Sequence, residues 1–321
     1  MIPLILRALP VLVFVLLVAA APFALDDGSL HLATEIFVVV VIASMWNLLA
    51  GYAGLVSLGH QMYFGAGGYV LFLFANATGI SPYWGLLAAF AFGGVAAALI
   101  APLLFRLRDA YFAIASWVLA EIVSILVQKT DALGGITGVS LTDMSAIDMT
   151  LFETTLFWIG AAMALVAVLG SLWLLRSKPG LSFMCARDNE RASEAIGVNV
   201  WPSRFIAYVV SAAGVAAAGA LSLLGGLAVQ PGNAFSPDWT VVMTFVVVIG
   251  GIGTLEGPIL GAIIYFVLRQ LLTVVFPLSG TWYLVAMGVV AVATMLFAPR
   301  GLWPLVRDRA GVDWLTVRRA L

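Results

Sequence analysis

The sequence predicts an all-α polytopic membrane protein of about ten transmembrane helices, some of them broken or re-entrant at glycines. Three observations carry that prediction. Hydrophobic residues make up 63% of the 321 positions. Charged residues make up only 10%, against about 25% in a soluble domain. Mean hydropathy is +1.11, a value that one anchor of about 20 apolar residues could not impose on a chain of this length.

The elements follow in order. Arg7 precedes an apolar run from Ala8 to Leu25 that closes at Asp26, Asp27 and Gly28. The small residues Ala19 to Ala21 resemble a signal-peptide cleavage region, and the preferred reading is a retained first span. Further apolar segments run from His31 to Ala50, Leu58 to Thr78, Tyr83 to Phe105, Ala110 to Gln128, Thr154 to Leu175, Ser203 to Val229, Trp239 to Gly250, Pro258 to Phe276 and Thr281 to Ala298. The whole of 1–321 is expected to form one transmembrane domain. Two polar stretches interrupt it: a loop over 129–153, expected on the outer, periplasmic side, and a loop over 176–202, expected in the cytoplasm. A tail over 299–321 completes the chain.

Charge placement gives an orientation, because short cytoplasmic loops collect Lys and Arg. With the N-terminus inside, ten alternating spans put 13 of the 15 basic residues on the cytoplasmic face, Lys129 and Arg269 being the exceptions. Both termini are then cytoplasmic, and Asp26, Asp27, Asp131, Asp143, Asp148, Glu153 and Asp238 lie outside. The expected location is a bacterial-type inner membrane. A net charge of -1 leaves no basic face for nucleic acid. One cysteine, Cys185, and two histidines, His31 and His60, rule out an intrachain disulfide and a multi-ligand Cys/His metal site.

Two glycine-rich stretches stand out. From Asn47 to His60 the chain carries Gly51, Gly54, Ser57 and Gly59, a density that weakens a helix. From Gly250 to Pro258 it carries Gly251, Gly253, Glu256 and Gly257 after only 12 apolar residues, about 18 Å of helix where about 30 Å of hydrocarbon must be crossed. Unpaired backbone at membrane depth is tolerated only inside protein or beside a water-filled cavity. Asn47, Gly51, Gly54, Ser57, His60, Gln61, Gly250, Gly253 and Glu256 are therefore candidates for the translocation path. Close packing of small residues between helices explains the same pattern, and both readings stand at this point.

Asn47, Gln61, Glu121 and Arg269 are polar groups within apolar segments, where each needs a partner. Glu121 and Arg269 each lie seven residues from the outer end of their segments, so they share a depth and form a candidate ion pair. The alternative is that Arg269 snorkels outward alone while Glu121 is protonated or bonded to a neighbouring helix.

The chain carries no phosphate-cradling loop: its two lysines, Lys129 and Lys178, follow Gln128 and Ser177 rather than glycine. No Ser/His/Asp set or Gly-x-Ser-x-Gly elbow is present either. Catalysis is not expected in this chain, and driving energy is expected from partners. In the inner loop, Cys185 to Val198 predicts a short helix ended by Gly197, with Ala192, Ala195 and Ile196 on one face and Arg187, Asp188, Glu190, Arg191 and Glu194 around it. A small apolar face with a charged rim suits docking into a groove of a soluble protein. Plain solvation of a connecting loop suits the same residues.

Five ordered blocks resemble the membrane permease subunits of ABC importers for branched-chain amino acids, specifically the M-type. They are Asn47 to His60; Arg106, Arg108, Tyr111 and Phe112 followed by Ala120 to Ile122; Gly134, Gly135, Gly138 and Val139; Arg187 to Arg191; and Gly250 to Gly261. The resemblance implies a type II ABC importer-like fold and half of a translocation pathway. It implies a second, H-type permease, two cytoplasmic ATPases that bind the ATP and Mg, and an external solute-binding protein facing the loop at Gly134, Gly135 and Gly138. It implies no cofactor in this chain. Arg187, Asp188, Asn189, Glu190, Arg191, Glu194 and Gly197 then fall where the superfamily's coupling helix meets the ATPase. Gln61, Met62 and Glu256 depart from the family pattern. Permeases for urea and short-chain amides are similar, so the solute stays open between them, and a stand-alone facilitator is the further alternative.

Overall fold

The structure, a computed structural model, describes residues 18–142, 148–275 and 281–310. Most of the first expected span, residue Asp143 and the tail beyond 310, including Arg318 and Arg319, lie outside the described residues. Thirteen helices are described from Asp27 onward, with one two-stranded ribbon.

The first helix, α1 (Asp27–Asn47), starts where Asp26 accepts the Ser29 hydroxyl at 2.7 Å and Asp27 places negative charge in the first turn. It widens into a π-helical turn over Leu48–Tyr52. Then come α2 (Gln61–Thr78), α3 (Pro82–Leu104) and α4 (Asp109–Lys129). A long connection carries strand β1 (Val139–Ser140). Next are α5 (Phe152–Arg176), the short α6 (Lys178–Asp188) and α7 (Glu190–Ala195), and the long α8 (Val200–Gly225). Strand β2 (Ala228–Val229) pairs antiparallel with β1, Val139 opposite Val229. The chain finishes with α9 (Pro231–Ala234), α10 (Asp238–Gly250), α11 (Gly257–Gln270), α12 (Thr281–Phe297) and α13 (Leu302–Ala310).

Six of these segments are long and apolar enough to cross a bilayer, and a seventh forms if α12 and α13, bent by 46°, count as one broken span. Sequence reading expects about ten. The difference lies in the first span, in α2 and in the short apolar α11. In α2, Gln61, Asn76 and three glycines dilute the hydropathy.

Burial separates centre from periphery. In α1 and α8, 72% of the apolar window is buried, against 28% in α3 and 22% in α4, so α1 and α8 are the core and α3 and α4 turn apolar faces outward. Trp84, Phe90 and Trp117 lie on those outward faces. α8 is a hub because its side chains are small: α1, α2, α3 and α6 all pack on it. A Cβ at Gly67 of α2 would stand 1.9 Å from the Ala216 carbonyl oxygen, and one at Gly219 of α8 would stand 2.2 Å from that of Phe64. The α2–α8 crossing is thus backbone against backbone, the contact that small residues permit and that drives helix association where lipid offers no hydrophobic gain.

The charges divide between the two ends of the bundle. Phe105 meets Trp201 and Tyr208, Gly54 meets Arg187, and Gly251 meets the Arg300 carbonyl, so the loops bearing Arg106, Arg108, Arg176, Lys178, Arg187, Arg191 and Arg300 form a basic end. At the other, acidic end His31 meets Glu153 and Asn76 bonds Ser140 and Thr142. Gly67→Ala should cost about 1–3 kcal/mol by forcing the crossing apart. Gly170→Ala, where a Cβ meets nothing within 4 Å, should stay within about 0.5 kcal/mol. Thermal unfolding of the solubilised chain checks this, and equal midpoints would contradict the close approach.

Candidate functional site

The two glycine stretches meet at the basic end. α1 opens into its π-turn, and Gly54, at φ 72°, turns the chain back. Residues 55–59 then run outside any helix alongside α1, with Leu55, Ser57 and Gly59 buried and Val56 and Leu58 exposed in alternation. This is irregular backbone below the end of the helices, and side chains satisfy it. Trp46 Nε1 donates to the Ser57 carbonyl at 2.9 Å, and the Leu58 amide donates to Ser116 Oγ at 3.0 Å.

On the other side, α10 stops at Gly250, and Gly251 and Gly253 (φ 132° and 74°) lead into α11. Asn47 joins the two breaks. Its Nδ2 donates to the Thr254 carbonyl at 2.7 Å and its Oδ1 accepts the Gly253 amide at 2.8 Å. The fit needs glycine: a Cβ at Gly51 would lie 2.1 Å from Asn47 Oδ1 and 2.6 Å from the Gly253 nitrogen.

The loop over 176–202 caps this junction. Phe183 and Ala186, at 0% and 2% exposure, anchor α6 and so fix Arg187 one residue from its end. Arg187 Nη1 donates to the Gly51 carbonyl at 2.8 Å, while its Nε and Nη2 donate to Asp188 Oδ1 at 3.0 and 2.9 Å. A Cβ on Gly253 would lie 3.1 Å from the same Nη1. The sequence expectation of one helix from Cys185 is corrected here, because Asn189 is extended and splits it. The Asn189 side chain accepts the Ala192 amide at 3.0 Å as the N-cap of α7. Gly197, at φ 87°, ends α7 as expected. Glu190 pairs with Arg204 at 2.9 Å, and Arg191, Glu194, Ala192, Ala195 and Ile196 stay exposed, Ile196 by 77%.

Other expected residues fall in three places. Ser57, His60 and Gln61 are buried between helices. His60 bonds Ser57 Oγ through Nδ1 and Ser211 Oγ through Nε2, each at 2.9 Å, and Ser211 donates onward to the Met45 carbonyl. Gln61 meets the Thr240 hydroxyl. Glu256 is buried beside the second break. Gly134, Gly135 and Gly138 all take positive φ in the loop at the acidic end, and a Cβ at Gly138 would strike the Val229 carbonyl at 1.9 Å, so Gly138 lets the start of β1 approach β2. In the same loop the Thr150 hydroxyl and amide bond Asp148 and hold its carboxyl below the usual carboxylate range.

The expected pairing of Glu121 with Arg269 is corrected. Arg269 Nη1 donates to Glu35 Oε2 at 2.9 Å. The reason is packing: α11, which carries Arg269, lies on α1 and α10, whereas α4, which carries Glu121, lies on α2 and α3. Glu35 escaped the sequence reading although it carries the same signal as Glu121. With the span expected to start at His31 it looked terminal; α1 begins at Asp27, which puts it eight residues, about 12 Å, into the helix.

Glu35 and Arg269 line a cavity of about 910 Å³ between α1, α10, α11 and α12. Val38, Val242, Phe245, Val248 and Met287 supply apolar wall, and Leu58 of the non-helical segment reaches it too. Val248 lies two residues before the break at Gly250, so the cavity ends over the junction.

Residues 29–297 match the family model described as branched-chain amino acid transport system, permease component. The chain belongs to that family. It is similar to the high-affinity branched-chain amino acid transport system permease protein LivM of Escherichia coli K12, 26% identical over 93% of this chain and 75% of the relative. The LivM of Salmonella typhimurium shows the same identity and coverage. A probable LivH of Methanocaldococcus jannaschii is 23% identical over 79% of this chain and 82% of its own length. The likeness to LivM marks this permease as M-type. No solved structure matches it.

Asn47→Ala should destabilise the permease by about 2–4 kcal/mol, since it leaves the Gly253 amide and Thr254 carbonyl unpaired. Asn47→Asp should cost less below the carboxylate range, where a neutral carboxyl still accepts from Gly253 and donates to Thr254, and more above it, where a buried anion faces the Thr254 carbonyl. Unfolding midpoints of the two variants check the order, and equal losses would contradict the two-sided bridge.

Proposed function

We propose that this permease forms half of the pathway of an ABC importer that takes branched-chain amino acids from an external binding protein. An H-type permease supplies the other half, and two ATPases supply the energy. The chain has no nucleotide motif, so ATP and Mg belong to those partners. The basic end faces the cytoplasm of a bacterial-type inner membrane, with both termini inside and ten spans once the first span, α2 and α11 are counted. The 129–153 loop meets the binding protein, 176–202 meets the ATPases, and 299–321 is a cytoplasmic tail.

The observation that carries this reading is the seat of Arg187. One loop both presents an exposed apolar face at Ala192, Ala195 and Ile196 and places a guanidinium on the junction of the two breaks. When ATP draws the ATPases together, α7 moves with them and α6 lifts or presses Arg187. The Gly51 carbonyl loses or regains its donor, and the segments at 47–60 and 250–257 shift relative to each other.

Reconstitution with the partner subunits should give ATP-dependent uptake of labelled leucine, isoleucine and valine and none of urea or acetamide. The reverse preference would place the protein with the amide importers. Arg187→Ala should lower uptake at least about tenfold, the scale of one lost charged hydrogen bond, while assembly is retained and ATP hydrolysis persists. Unchanged uptake would remove the coupling role.

A further inference from the structure

We propose that the Glu35–Arg269 pair is the recognition subsite for the charged end of a zwitterionic α-amino acid, and that the apolar wall of the same cavity receives its branched side chain. This deepens the proposed function and rests on it. The geometry begins with depth. Glu35 lies eight residues into α1 from the acidic end, about 12 Å, a level where ionisable groups are costly and mark ligand or ion pathways. Both side chains are open to the cavity, at 37% and 42% exposure, so they are not sealed in a purely structural contact. Arg269 is steadied by the Phe266 ring 5.7 Å from its guanidinium carbon, and Glu35 lies 3.9 Å from His31 on its own helix.

The charge pattern selects the ligand. A carboxylate and a guanidinium 2.9 Å apart are the mirror of an α-ammonium and an α-carboxylate on one carbon. Arg269 can take the ligand carboxylate with two parallel N–H donors, which a lysine could not do, and Glu35 can accept from the ammonium. With no ligand the two side chains neutralise each other, so the cavity holds no net charge from them between cycles. The volume of about 910 Å³ is within the range of small-molecule sites. Val38, Val242, Phe245 and Val248 give the branched chain an apolar lining, and its far end rests over the break at Gly250. The second permease would close the open side.

The test uses the full complex with its partner permease, ATPases and binding protein in proteoliposomes. Glu35→Gln and Arg269→Gln should each lower leucine uptake at least about tenfold with the complex still intact on purification. The exchange Glu35→Arg with Arg269→Glu restores an ion pair but reverses its direction, and it should restore thermal stability without restoring uptake. Thr244→Trp, which fills the cavity from α10 without touching the pair, should also abolish uptake. The proposal is overturned by single variants that transport like wild type, by an exchange variant that regains more than about half of wild-type uptake, or by loss of the second permease from the variants, which would make the pair an assembly contact. A wild-type complex that carries urea and no amino acid would sink this subsite together with the reading beneath it; leucine carried by wild type and unaffected variants alike would sink the subsite alone.

Discussion

The constraint on which this structure depends is that backbone polar groups away from water must be bonded. Helices meet it internally, and at the basic end this chain leaves helix in two buried stretches, after Tyr52 and after Gly250. Each break frees donors and acceptors that its own segment cannot satisfy. The solution is mutual: Asn47 offers both faces of its amide to the second break, and Arg187 offers a charged donor to the first. Every one of these bonds joins segments more than 130 residues apart in the chain, so the junction is where the two halves and the connecting loop become one object.

That junction is only as rigid as its glycines allow. At Gly51 and Gly253 no side chain intervenes between the two backbones, so sliding one segment on the other meets few steric steps, and the bonds that resist it are few and identifiable. The α2–α8 crossing uses small residues to the opposite end: Gly67 and Gly219 lock two long helices by continuous backbone contact. The same residue type therefore makes a helix-on-helix seam in the body of the bundle and a loop-on-turn seam at its basic end. What distinguishes them is helical regularity, which persists through the first and fails at the second.

Much of this was legible in the sequence for definite reasons. Apolar runs located the helices because bilayer thickness sets their length, and the clustering of arginines anticipated the basic end. Glycine density marked both breaks, and the block at Arg187 to Arg191 marked the loop that caps them. What the sequence concealed was which segments touch. Glu121 and Arg269 matched in depth, and depth is readable by counting residues; azimuth and neighbour are set by packing, which put α11 beside α1 and left Glu121 on the outer α4. Periodicity runs Asn189 into a helix, since its role as a cap depends on an extended backbone that no periodicity reports.

The positions of the cavity and the junction explain why a conduit of this kind would carry charged pairs at one level and glycines at another. A ligand held near Glu35 would be one helical turn from Val38 and Val39 and would lie along α1, whose far end is Asn47. Displacement of α1 along its axis would act on both, weakening the bridge to Gly253 as it moved Glu35 relative to Arg269 on α11. α10 gives the second connection, from Val242 and Val248 on the cavity wall to Gly250 at the break. Under that proposal α1 and α10 would link the ion pair to the junction, over about 18 Å along α1, without a relay of side-chain rearrangements. In the proposed cycle the force would enter at Arg187, where the loop touches the π-helical turn that follows α1.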